Sequence, residues 1–154
     1  MHRIQKPISE FVSGEPVPAI EPADPVTVAM DIMKSNGSDC VLIIDHGELV
    51  GIFTERDFLY RVAAVQGNPS LIPIAEVMTR EPVSLKPRDS IAYAINCMVT
   101  RGFRNIPVID DAGRVLSVLD VRDVIAHISE VFAELEEIRA TDEPNEWTDI
   151  GGGD

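Results

Sequence analysis

The chain has 154 residues, 45% of them hydrophobic, which is ample for one compact domain or for two small units sharing a core. With 26 acidic residues against 13 basic ones the formal net charge is −13, which argues against a nucleic-acid partner and against an anionic membrane surface, because both are held mainly by Lys and Arg. No run approaches the roughly 20 apolar residues of a membrane span, and residues 1–7 have no apolar stretch of signal-peptide length, so the expected location is cytoplasmic.

Taken from the N-terminus, the chain says the same thing twice. Ile8-Ser9-Glu10-Phe11-Val12 is matched by Ile74-Ala75-Glu76-Val77-Met78, and Glu15-Pro16-Val17 by Glu81-Pro82-Val83. The register continues through Pro22 and Asp24 onto Pro87 and Asp89, Ala29 onto Ala94, Met33 onto Met98 and Gly37 onto Gly102. It then carries Ile44-Asp45 onto Ile109-Asp110, Gly47 onto Gly113, and Arg56-Asp57 onto Arg122-Asp123. This divides the chain into residues 1–66, 67–130 and a remainder, 131–154.

Each repeat opens with a short strand, over residues 17–20 and 83–85, bounded by prolines. Asp24-Pro25 and Asp89-Ser90 then read as the cap and first turn of a helix, with Val26, Ala29, Met30 and Met33, or Ile91, Ala94, Ile95 and Met98, on one face. Gly37 and Gly102 close these helices. Two paired strands follow in each repeat, turning at Asp45-His46-Gly47 and at residues 110–113, where Asp110 and Asp111 are turn residues. Second helices begin at residues 54–57 and 120–123. The order strand, helix, strand, strand, helix makes each repeat a small α+β unit.

The junction Gly51-Ile52-Phe53-Thr54-Glu55-Arg56-Asp57 supports two readings. Thr54 and Asp57, three apart, suit a helix cap. The same groups suit a ligand: free amides and a hydroxyl seat a phosphate, and a carboxylate accepts two hydrogen bonds from a ribose diol. Beyond the repeats, Ile128, Val131, Phe132, Leu135 and Ile138 form a helical stripe with Glu130, Glu134, Glu136 and Glu137 opposite, and such a stripe wants the N-terminal segment or a second copy of the chain as cover. Residues 141–146, Trp147 and Gly151-Gly152-Gly153 read as an acidic tail, with Trp147 either a docking anchor or an ordinary terminal aromatic. Cys40 and Cys97 lie in apolar segments at unrelated spacing, as small buried hydrophobes do. His2, His46 and His127 make no pair at metal-ligand spacing, so no metal is expected.

The tandem repeat, the Gly51 to Asp57 run, the Arg104-Asn105-Ile106-Pro107-Val108-Ile109-Asp110 run and the Val77-Met78-Thr79-Arg80-Glu81-Pro82-Val83 lead-in together resemble a pair of cystathionine β-synthase (CBS) domains, over roughly residues 4 to 130. The resemblance implies two α+β units packed through their sheets about a pseudo-twofold axis. It also implies two clefts that hold adenosine-containing ligands such as AMP, ATP or S-adenosylmethionine, with AMP or ATP favoured and no obligatory cofactor. Carried onto this chain, Asp57 binds ribose and Thr54 meets phosphate, while Pro82, Val83, Phe103, Arg104, Asn105, Ile106 and Pro107 complete the cleft. Val83, Ile106 and Pro107 would offer an apolar slot for the base and Arg104 a guanidinium fork for phosphate, with Arg56 adding charge or pointing to solvent. The second cleft would combine Asp120 and Asp123 with Pro16, Val17, Asp39 and Cys40. There Asp120 replaces Thr54 and Asp39 replaces Arg104, so phosphate is repelled and unequal occupancy is expected.

Neither cleft offers a nucleophile with an adjacent base, a Walker loop or paired catalytic carboxylates, so no enzymatic activity is expected. The expected function is adenine-nucleotide sensing that modulates an unidentified partner protein, in a chain that forms a homodimer. The alternatives are an S-adenosylmethionine or NAD(H) binder, and a ligand-free adaptor working through the last helix and the acidic tail.

Overall fold

The computed structural model describes residues 5–12 and 14–142, so Trp147 and the glycine-rich end lie outside the described residues. The elements in chain order are β1 (Ala19–Ile20), α1 (Val26–Asn36), β2 (Cys40–Asp45), β3 (Glu48–Thr54) and α2 (Glu55–Asp57), which runs on as a π-helical stretch, Phe58–Ala63. The second half contributes α3 (Ile74–Val77), β4 (Thr79–Arg80), α4 (Ile91–Arg101), β5 (Asn105–Ile109), β6 (Val115–Asp120) and α5 (Val121–Asp142).

The first repeat's sheet is four-stranded, in the order β1-β2-β3-β4, with β1 parallel to β2 and the other pairs antiparallel. The second repeat keeps the β5-β6 hairpin, but its opening strand shrinks to one parallel bridge, Leu85 to Val108. The stops are local chemistry: Gly37 (φ 60°) and Gly102 (φ 71°) take the left-handed conformation that ends α1 and α4, and their amides return to the carbonyls of Met33 and Met98. The starts differ from expectation. Asp24 and Asp89 cap nothing; their carboxylates accept from the amides of Glu21 and Lys86 in the preceding turns. Ser90 caps α4 by accepting from Tyr93 N–H, and α1 follows Pro25 with no side-chain cap.

The apolar faces divide into two cores that do not follow the covalent division between residues 66 and 67. Ile20, Val26, Val41, Ile43, Phe53 and Val62 are packed with Ile74, Val77 and Met78 from the segment that leads into the second repeat. Conversely Ile8 is fully buried among Leu85, Ile91, Ile106, Leu119 and Val124 of the second repeat. Backbone bonds fasten both leaders: Ile8 and Ser9 donate to the carbonyls of Asp89 and Pro87, and Ile74 and Ala75 donate to those of Asp24 and Pro22. The repeats are thus cross-clasped, each completed by the segment that precedes the other. Between them runs a third apolar seam, Cys40, Leu42 and Ile52 of one sheet against Val115 and Val118 of the other. Among the described residues no helix is long and apolar enough to cross a membrane.

Candidate functional site

Where β3 ends, the chain forms the capping box that the Thr54/Asp57 spacing predicts. Thr54 Oγ1 accepts from Asp57 N–H at 3.3 Å, and Asp57 Oδ2 accepts from Thr54 N–H at 3.0 Å and from the Thr54 hydroxyl at 3.2 Å. Asp57 is 8% exposed, and its second oxygen accepts from the hydroxyl of Thr79 at 3.1 Å, with Arg61 Nε 3.7 Å away. The helix amides are less available than the spacing suggests. Glu55 N–H is spent on the carbonyl of Asp39, and Asp57 N–H on Thr54. Two donors of the phosphate seat expected there are already satisfied, so an anion must be held mainly by side chains.

Those side chains converge from both repeats. A cavity of 760 Å³ is lined by Thr54, Arg56, Asp57 and Thr79 on one side and by Arg101, Phe103, Arg104 and Asn105 on the other, with Asp39, Glu55, Leu59, Tyr60 and Arg61 around its rim. Four of the chain's 13 basic residues, Arg56, Arg61, Arg101 and Arg104, face three acids here. In a chain of net charge −13 this is a local reversal of sign. Arg56 lies over the ring of Tyr60, 5.7 Å from its centroid, and lines the cavity instead of standing clear of it.

The apolar base slot expected from the second repeat is placed differently. Ile106 is fully buried in the core of its own repeat, and Pro107 is buried in the sheet with its carbonyl taken by Leu85 N–H. Pro82 and Val83 are half-buried, and none of the four lines the cavity. For Ile106 the reason is the two-residue period of β5, which sends Asn105 to the cleft and Ile106 and Val108 to the core. The flat surfaces at the cleft are Tyr60, Phe103, Leu59 and Ile52 instead. Leu59, Tyr60, Arg61, Thr79 and Arg101 are thus cleft residues that sequence reasoning missed. Arg61, four residues after Asp57 and so on the same helical face, was the legible one.

The residues of the second expected cleft come together in part: Asp39, Asp120 and Arg122 all lie close enough to act on the Cys40 thiol, and Arg122 is flanked by Asp120, Asp39 and Asp123. Asp39 belongs to the first cleft, where Asn105 Nδ2 donates to it at 2.9 Å. Cys40 is buried in the inter-repeat seam, where Val17 packs against it, and Pro16 is exposed. Asp123, exposed where Asp57 is buried, lines a 300 Å³ pocket with Lys6, Phe11, His127 and Glu130. Asp120 is gripped by Arg122, whose Nη2 and Nε donate to it at 2.7 and 3.0 Å. That bond holds the Asp120 carboxyl below the usual range, so the two-carboxylate repulsion expected here is offset by an arginine. Burial, reinforced by Asp39, pushes the Cys40 thiol up to about 12. It is a protonated seam residue and no nucleophile.

Comparison with known proteins places this geometry. The CBS domain family model matches residues 8–64 and again residues 74–130. An uncharacterised protein of Methanopyrus kandleri is 26% identical over 117 residues, covering 73% of this chain and 60% of its own length. The chain spans 19% of two longer Arabidopsis thaliana relatives. Among solved structures, the CBS domain pair of protein MJ0100 in complex with 5′-methylthioadenosine and S-adenosyl-L-methionine has a TM-score of 0.69 and 26% identity, covering 82% of this chain and 99% of that one. CBSX2 in complex with AMP has a TM-score of 0.69 and 17% identity, covering 81% of this chain and 97% of that one, which bears on the fold alone.

Proposed function

The chain belongs to the CBS-domain family, carrying two copies as a tandem pair, and from that premise we propose that it is a regulatory module whose Asp57–Arg104 cleft binds a phosphorylated adenosine ligand and so alters its contacts with a protein partner. The observation that carries this reading is the charge of the cleft: four arginines gathered from both repeats around one buried carboxylate. Guanidinium forks suit phosphate oxygens, a buried carboxylate suits a ribose diol, and Tyr60 and Phe103 provide rings against which a base can lie. The complexes of the MJ0100 pair support an adenosyl ligand for a fold of this kind. S-adenosylmethionine brings a cationic sulfonium to a cleft rich in arginine, so AMP, ADP or ATP is the better match. Because Asp123 is exposed and Arg122 is committed to Asp120, one ligand per chain is expected.

Calorimetry of the full chain with AMP, ADP, ATP, NAD and S-adenosylmethionine tests this. A nucleotide should titrate to one site per chain. At a hundredfold excess over Kd it should add about 2.7 kcal/mol of stability and raise Tm by roughly 5–10 °C. Neither heat nor a Tm shift with any of the five would overturn the reading and leave a ligand-free adaptor. The second part of the proposal is a homodimer. On α5, Ile125, Phe132, Leu135 and Ile138 are about half exposed or more, while Val121 and Val124 at its base pack into the second core.

A further inference from the structure

The acceptor capacity of Asp57 is nearly used up before any ligand arrives. A carboxylate offers about four lone-pair sites. Thr54 N–H and its hydroxyl occupy two on Oδ2, and the Thr79 hydroxyl takes one on Oδ1 with Arg61 Nε beside it. A ribose diol asks for two. The Thr54 bonds belong to a cap closed within four residues, whereas Thr79 is 22 residues away in sequence.

Thr79 also sits on a short strand at the edge of the sheet. β4 is two residues long and pairs with β3 at Ile52↔Thr79 and Gly51↔Arg80, with one further bond from Glu81 N–H to the carbonyl of Val50 at 3.2 Å. Arg61, besides facing Asp57, donates through Nη1 to the carbonyls of Val77 at 3.2 Å and Met78 at 2.6 Å, tying the same stretch to the helix. The stretch ends at Glu81, a non-glycine residue at φ 46°, in the strained left-handed region. This is the segment by which the chain passes from the first core, which holds Met78, to the second, which holds Leu85. Resting on the nucleotide reading of the cleft, we propose that Thr79 and Arg61 form a latch on Asp57 that the ligand's ribose must open, so that occupancy of the cleft loosens residues 78–81, the linker between the two cores. Thr79 is then a negative determinant of affinity, and the linker is the element through which occupancy is signalled.

Hydrogen exchange of the full chain, read by mass spectrometry with and without saturating ATP, tests the latch. Amides of residues 78–81 should exchange about tenfold faster with ATP, while those of the Thr54–Asp57 cap become slower, since release of a short edge strand lowers local stability. Thr79→Val, which keeps the β-branched shape and removes the hydroxyl, should bind ATP about three- to tenfold tighter and show fast linker exchange already without ligand. Thr79→Ser, retaining the hydroxyl, should match the parent in both. The latch is overturned if ATP binds but linker exchange is unchanged or slowed, or if Thr79→Val binds no tighter than the parent. Absence of ATP binding to the parent chain would instead overturn the nucleotide reading, so the two failures are distinct.

Discussion

Arg104 shows how one residue serves fold and cleft by separate parts. Its carbonyl accepts from Val121 N–H at 2.8 Å, as the carbonyl of Asp39 accepts from Glu55 N–H in the other repeat, so both residues anchor a helix start. Its exposed guanidinium is free to work in the cleft, and it is close enough to Asp120 to help depress that carboxyl. Truncation should therefore leave the backbone anchor intact. Arg104→Ala is expected to weaken ATP by about 10- to 100-fold, the value of about 1.5–3 kcal/mol for a charged hydrogen bond, and to change adenosine affinity less than about threefold. Equal losses for both ligands in calorimetry would remove Arg104 from phosphate recognition. Cys40 makes a prediction in pH. Its folded-state pKa is raised from 9.0 to about 12, so between those values the folded chain keeps a proton that the unfolded chain loses. Its contribution to stability is then whole below about pH 9 and falls as pH rises toward 12. Cys40→Ala should flatten the alkaline limb of the Tm-versus-pH curve, with little effect on its slope near pH 7.

At the scale of elements, the cross-clasp explains why two short leaders carry so much of the packing. Ile8 and Ile74 stand at equivalent repeat positions and both are fully buried, each in the core of the repeat it does not precede in the alignment of cores. Ile8→Ala and Ile74→Ala should each cost about 2–5 kcal/mol in urea denaturation, the range for emptying a core aliphatic site. A cost below about 0.5 kcal/mol for Ile8→Ala would mean that the first leader does not dock as described. Gly51 marks a second close approach, since a Cβ there would run into the Sδ of Met78, which is itself buried under β3. Gly51→Ala is expected to destabilise by about 1–3 kcal/mol through overpacking, read in the same denaturation experiment. Glycine is needed here for space, not for backbone freedom.

The whole molecule is a seam between two unequal halves. One half buries its capping aspartate in a cleft that takes arginines from both halves; the other leaves Asp123 exposed and spends Arg122 on Asp120. This asymmetry is what the proposed single anionic ligand rests on. The long α5 adds an apolar face beyond the second core, with Phe132 63% exposed. If a second copy covers that face, light scattering after size exclusion should give twice the chain mass, and Phe132→Glu with Leu135→Glu should halve it without lowering ATP affinity at the remote cleft. A parent chain that stays monomeric at high micromolar concentration would exclude the homodimer.

What the chain determined by itself was the repeat and much of what is closed within a few residues, the helix caps expected at Asp24 and Asp89 excepted. The glycine stops at Gly37 and Gly102 and the Thr54–Asp57 box are set by i to i+3 or i+4 chemistry, and the structure contains them, whereas the opening strand expected over residues 83–85 is reduced to one bridge. The burial of the Ile106 side chain was legible too, in the two-residue alternation of β5. Other features needed the tertiary structure. Which core each leader completes, the spending of the Glu55 amide on Asp39, the gathering of four arginines at one cleft and the bond between Thr79 and Asp57 all join residues 16 or more apart in sequence. Local patterning carries no information about such partners, because each is chosen by how strands pair and how the elements pack, and not by the residues on either side.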